Sequence, residues 1–156
     1  MKKLLLITAS TLLFALVLVA CSASKGSEKN PPSEKTPAIE ISSPTAGTWI
    51  LDSYKYQASS TFIKRAVSSQ RILLLTDKMF MWSTFDPSTR KTISSAGGTY
   101  TMEGDKCTES IDFGYGMDSY VGTKSTFTVK VDGDFMFKSG KLADGYIVEE
   151  VWTRVK

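Results

Sequence analysis

The stretch Gly145-Tyr146-Ile147-Val148-Glu149-Glu150-Val151-Trp152-Thr153-Arg154-Val155 leaves the chain few folds to choose from. Past Gly145 it holds no helix breaker, and most of its residues are β-branched or aromatic, so it reads as one long strand. Side chains alternate across a strand, which puts Tyr146, Val148, Glu150, Trp152 and Arg154 on one face and Ile147, Glu149, Val151, Thr153 and Val155 on the other. Both faces are largely apolar. A strand of this kind, with Glu150 and Arg154 beside Trp152, suits the closing strand of a barrel, whose inner face can hold and pair a few polar groups.

Upstream, Gly47-Thr48-Trp49 opens the first strand-like segment, Gly98-Thr99-Tyr100 lies near mid-chain with Glu109 after it, and Glu150, Trp152 and Arg154 form a terminal Glu-x-Trp-x-Arg. As a combination these resemble the lipocalin and fatty-acid-binding (calycin) superfamily, in particular its bacterial lipocalin-like domains, over residues 46–156. The resemblance implies an all-β fold, a small up-and-down antiparallel β-barrel of about eight strands. It also implies that Trp49 of the first strand lies at one end of the barrel with Arg154 of the last packed across it, so that Gly47, Trp49 and Arg154 close the barrel. The lipocalins' further mid-chain motifs are absent.

Residues 1–20 read as a secretory leader: Lys2 and Lys3, an apolar run from Leu4 to Ala20, then a small residue before Cys21. Leu18-Val19-Ala20-Cys21 looks like a bacterial lipobox, which makes Cys21 the lipid-attachment residue of a mature lipoprotein. Two or more acyl chains hold a protein stably on a bilayer. In a Gram-negative cell, Ser22, where Asp is absent, resembles an outer-membrane sorting signal. Residues 21–45 are rich in Ser, Lys, Glu and Pro and read as a flexible tether to the domain at 46–156. Of 19 basic residues, Lys2 and Lys3 depart with the leader, leaving 17 against 16 acidic ones, which gives no basic signal for nucleic acid. With Cys21 acylated, Cys107 is alone, so it reads as a small buried hydrophobe in a domain without disulfides.

Within the domain the first strand runs from Trp49 to about Tyr56, with Trp49, Leu51, Ser53 and Lys55 on one face. Next, either Ser59-Ser60-Thr61 caps a short helix in which Phe62, Ile63, Ala66 and Val67 recur at helical spacing, or these residues belong to a strand or plug the barrel end. In fatty-acid-binding relatives a helical lid lies at this point. Strands follow over 71–76, 79–85, 92–102 and 106–113, the third loosened by Gly97 and Gly98, which mark a bulge or barrel corner. Residues 114–122 are Gly-rich and read as a long aromatic loop carrying Tyr115 and Tyr120. Strands at 126–131 and 134–138 flank Asp132-Gly133, the strongest short hairpin signal in the chain. Short connections in sequence order make a meander; a β-sandwich is the architectural alternative.

The chain has no histidine, which removes Ser-His-Asp and Cys-His catalysis, imidazole metal sites and the commonest general base. Asp132-Gly133-Asp134 lacks the rest of a calcium loop. The carboxylates Glu109 and Glu150 are the remaining enzymatic constellation, a glycosidase-like pair, but small barrels more often pair such groups than use them. No catalytic residue, metal or cofactor is therefore expected. The expected function is a membrane-anchored binding module for a small, largely hydrophobic ligand in the cell envelope. Trp82, Tyr100, Glu109, Phe127, Phe137, Glu150, Trp152 and Arg154 are its expected contacts, and Val129 and Phe135 complete the wall. Arg154 is the expected partner of Glu150 or Glu109, and it either seals the barrel or binds an anionic head group. The alternative is a solid barrel that grips an envelope protein, for instance through Tyr115 to Tyr120.

Overall fold

The computed structural model describes residues 43–156. The leader, the lipobox with Cys21 and most of the tether lie outside the described residues. Nine strands follow one another: β1 Gly47–Tyr56, β2 Ile63–Lys64, β3 Gln70–Leu75, β4 Met79–Asp86, β5 Lys91–Glu103, β6 Lys106–Tyr115, β7 Lys124–Asp132, β8 Phe135–Lys141 and β9 Ile147–Arg154. Every neighbouring pair is antiparallel, and β9 returns to pair with β1, with Trp49 opposite Arg154 and Tyr56 opposite Val148. Eight strands thus close a barrel, as expected, and β2 is an extra rung on β1. Each barrel strand is paired on both sides within this segment, so the domain closes on its own core and leaves no barrel edge.

Residues 59–67 form no helix. Ile63 and Lys64 instead pair with Tyr54 and Ser53, and Lys64 Nζ lies 2.7 Å from Asp52 Oδ2. A helical pattern this short cannot repay its own nucleation, whereas an extended pair finds partners on the neighbouring strand at once. The apolar residues meant for a lid stay outside, Val67 at 89% exposure. The helical element among the described residues is a single 3-10 turn, Asp118–Tyr120. The expected loop over 114–122 is also shorter, because β6 continues through Gly114 and Tyr115, opposite Ala96 and Ser95.

Two shifts of phase decide which side chains face inward. A bulge at Asp52 interrupts the β1–β9 register, so Leu51 sits opposite Trp152 while Tyr54 and Tyr56 sit opposite Glu150 and Val148. Lys55, expected on the face of Trp49, therefore turns out and pairs with Glu149 at 2.8 Å. In the Asp132-Gly133 hairpin Val131 sits opposite Met136, Lys130 opposite Phe137 and Val129 opposite Lys138. That register buries Met136 and Lys138 and turns Phe135 and Phe137 out, at 48% and 47% exposure. The expectation that Phe135 and Phe137 line the interior is overturned.

One end of the barrel is plugged. Trp49 is fully buried, donates from Nε1 to Thr45 O at 2.8 Å, and carries the Arg154 guanidinium 4.0 Å above its ring. Arg154 also donates to Ala46 O at 2.8 Å and Pro44 O at 2.6 Å, so it binds the incoming chain to the outgoing one. Gly47 makes this crossing with φ +135°, and a Cβ there would lie 2.7 Å from Arg154 Nη1. Above the plug, Leu73, Phe80, Met136 and Trp152 fill the core.

Gly97 and Gly98 mark a bulge between β5 and β6, as their sequence suggested. A Cβ on Gly98 would meet the backbone carbonyl of Ser110, which the ladder holds in place; one on Gly97 would meet the half-exposed ring of Phe113, which can swing away. Gly98→Ala should therefore cost about 3 kcal/mol and Gly97→Ala about 1 kcal/mol or less in urea denaturation. Equal costs would count against the register described for β5 and β6.

Candidate functional site

The half of the barrel away from the plug is hollow. Its cavity has a volume of about 240 Å³ and runs from Trp152, Phe127 and Leu73 in the depth to Tyr56, Met117, Tyr120, Leu142 and Tyr146 at the mouth. Strand alternation supplies the walls: Val148, Glu150 and Trp152 from β9, Phe127 from β7, Glu109 and Ile111 from β6, and Trp82 from β4. At the rim Tyr120 donates its hydroxyl to Asp144 Oδ2 at 2.6 Å, tying the β6–β7 connection to the β8–β9 turn. That hydrogen bond holds the exposed Asp144 carboxyl below its ordinary pKa.

Two ion pairs stand in the wall. Lys138 Nζ donates to Glu109 Oε1 at 2.6 Å, with both side chains buried, and lies 4.0 Å over the Phe127 ring. Burial works against the lysine's charge, but the Glu109 carboxylate and then Glu150 outweigh it and hold Lys138 above its usual pKa. Glu150 is held by three donors: Tyr56 Oη at 2.6 Å and Arg71 Nη1 at 3.1 Å on Oε1, and Trp152 Nε1 at 3.2 Å on Oε2. Burial and the Glu150 charge push the Tyr56 phenol well up, so its hydroxyl keeps the proton that it donates. Arg71 is fixed in turn by Thr84 Oγ1 at 2.7 Å and by the Trp82 ring 4.7 Å from its carbon. Such pairing answers the cost of burying charge in a small barrel.

Of the residues singled out from sequence, Trp82, Glu109, Phe127, Glu150 and Trp152 line this cavity. Tyr100, Phe137 and Arg154 do not. Tyr100 borders a void of about 10 Å³ toward the plugged end and donates its hydroxyl to Thr76 O at 2.5 Å. Phe137 is on the outer face, and Arg154 is spent on Trp49 and the carbonyls of residues 44 and 46. Arg154 therefore partners neither carboxylate; Arg71 and Lys138 do. Sequence reading missed both, along with Tyr56. The signal for Lys138 was present in the hairpin register, which sets it opposite Val129. Tyr56 needed the bulge at Asp52, which no sequence pattern announced. Cys107 is buried beside Glu109, and burial pushes its thiol up to about 11, so it stays protonated as a core residue does.

No family model matches the sequence, and neither does any curated protein. Among solved structures, a lipocalin-like protein from Bacteroides uniformis is similar with a TM-score of 0.51 and 18% identity, over 70% of this chain and 97% of that one. The fold is lipocalin-like. An uncharacterized protein from Bacteroides eggerthii aligns with a TM-score of 0.49 and 14% identity over 70% and 98% of the two chains. A mutant of the fluorescent protein UnaG aligns with a TM-score of 0.35 and 10% identity over 72% and 96%. A lipocalin-like barrel with an open, largely apolar cavity has the means to hold a small molecule.

The buried pair offers a direct test. Lys138→Met leaves Glu109 buried without its cation and should cost about 3–5 kcal/mol in denaturant unfolding. Adding Glu109→Leu should recover most of that loss, since an apolar pair needs no compensation. The lysine's pKa is raised on folding, so the pair's stabilisation is whole below the ordinary value of 10.5 and is lost as pH climbs through the folded value. A double variant as unstable as Lys138→Met would show that the loss is one of packing rather than charge.

Proposed function

We propose that this protein is a lipid-anchored binding module whose lipocalin-like barrel holds a small, largely hydrophobic ligand in the cell envelope. The observation that carries the reading is the cavity itself: one open mouth, aromatic and aliphatic walls, and charged groups already paired before any ligand enters. Its volume of about 240 Å³ lies just under the roughly 300–1,000 Å³ of common ligand sites, which favours a compact guest or a single short chain. Glu109 and Glu150 are each engaged by a cation, an arrangement that supports binding over hydrolysis. The lipobox at Cys21 and the polar tether after it support attachment to a bilayer, and in a Gram-negative cell Ser22 favours the outer membrane.

One observation favours the second reading, a module that grips an envelope protein. Phe113, Tyr115, Phe135 and Phe137 stand exposed on the outer face of the barrel. An occupied cavity favours the first reading and an empty one the second.

Expression of the full chain in a bacterial host with radiolabelled palmitate should label the wild type and leave Cys21→Ser unlabelled. Native mass spectrometry of the purified wild type should then show a defined small-molecule adduct, weakened in Trp82→Ala. An unlabelled wild type would remove the anchor, and a barrel that stays empty and takes up no fluorescent lipid would remove the ligand.

A further inference from the structure

We infer that the cavity selects an uncharged ligand whose polar end both accepts and donates hydrogen bonds, and rejects an anion of the same shape. The inference rests on the ligand-binding reading above and adds the chemistry of the head group.

The first ground is the charge count. Four ionic side chains line the cavity, Arg71 and Lys138 against Glu109 and Glu150, and they pair one to one at 3.1 and 2.6 Å. The wall therefore sums to zero before anything enters. A carboxylate or phosphate guest would bring a charge with no counter-ion waiting, into a site walled by Trp82, Phe127 and Trp152. Uncompensated charge is the costliest thing to place in such a site. Arg71 does not offer itself as a free cation, because Glu150 already holds its Nη1 edge.

The second ground is the set of bonds left over. Arg71 uses Nε on Thr84 and Nη1 on Tyr56 and Glu150, while Nη2 has no acceptor among the described residues. Lys138 gives one of its three N–H groups to Glu109 Oε1 and directs the ammonium toward the Phe127 ring. On the acceptor side, Glu109 Oε2 receives no hydrogen bond among the described residues. The lining thus keeps donors at Arg71 and Lys138 and an acceptor at Glu109. An uncharged group with a carbonyl oxygen and an N–H or O–H satisfies both kinds at no ionic cost. Residual donors and acceptors left unmatched would weigh against a plain hydrocarbon for the same reason.

Octanamide and octanoate make a near-isosteric pair that differs in charge. Residues 43–156, whose barrel closes on its own core, are titrated with each at pH 7.5, following Trp82 and Trp152 fluorescence and the heat of binding. Octanamide should bind at least about tenfold more tightly than octanoate. Glu150→Gln removes one negative charge from the wall and should narrow or reverse that ratio; Arg71→Gln removes a positive one and should widen it. Octanoate binding as tightly as octanamide to the wild type, or a ratio unmoved in a folded variant of either kind, would overturn the inference while leaving ligand binding intact. If neither compound binds, nor any fluorescent lipid, the ligand-binding reading itself fails and this inference with it.

Discussion

The return of β9 onto β1 is the constraint on which the rest of the molecule depends. A meander of eight strands has two raw edges until its first and last strands meet, and here they meet along most of their length. The junction is locked at one end by Arg154, which lies over Trp49 and binds the carbonyls of the chain just entering β1. Closure then dictates what can face inward, since alternation around a closed ring commits every second residue to the interior. Among the residues so committed are two carboxylates, an arginine and a lysine.

Their neutralisation shapes the interior. Lys138 and Glu109 lie between the core and the cavity, while Glu150, Tyr56 and Arg71 form a network that runs along the cavity wall to Thr84 and Trp82. Each of these groups reaches a partner on an adjacent or next-but-one strand and is short of the packing that Leu or Phe would give. The hollow above the solid half follows from that trade: polar side chains are oriented by their bonds and leave space between them, whereas Phe80, Leu73 and Met136 below are free to interdigitate.

Much of this was legible in the sequence, residue by residue. Val148, Glu150 and Trp152 could be assigned to one face of β9 because strand side chains have a period of two and nothing interrupts it there. The Asp132-Gly133 hairpin and the Gly97-Gly98 bulge announced themselves through backbone needs that few other residues meet. What escaped was phase. Phe135 and Phe137 looked inward by hydrophobicity, yet a hairpin's register, not the apolarity of a side chain, decides which face it takes, and that register turned Lys138 in. The bulge at Asp52 did the same to Tyr56. Ile63 and Lys64 fell to strand pairing because a helical pattern of so few residues carries little weight against a waiting partner strand.

The plug also gathers both ends of the described segment. Ser43, at the start of the described residues, and Lys156, at the end, both lie beside it: Arg154 reaches Pro44, and Lys156 reaches Asp134 in the turn below β7 and β8. The mouth, ringed by Tyr56, Tyr120 and Tyr146, is at the other end of the strands. The described segment is therefore entered and left at the base of the cup, and the ring of tyrosines stands at the opposite rim.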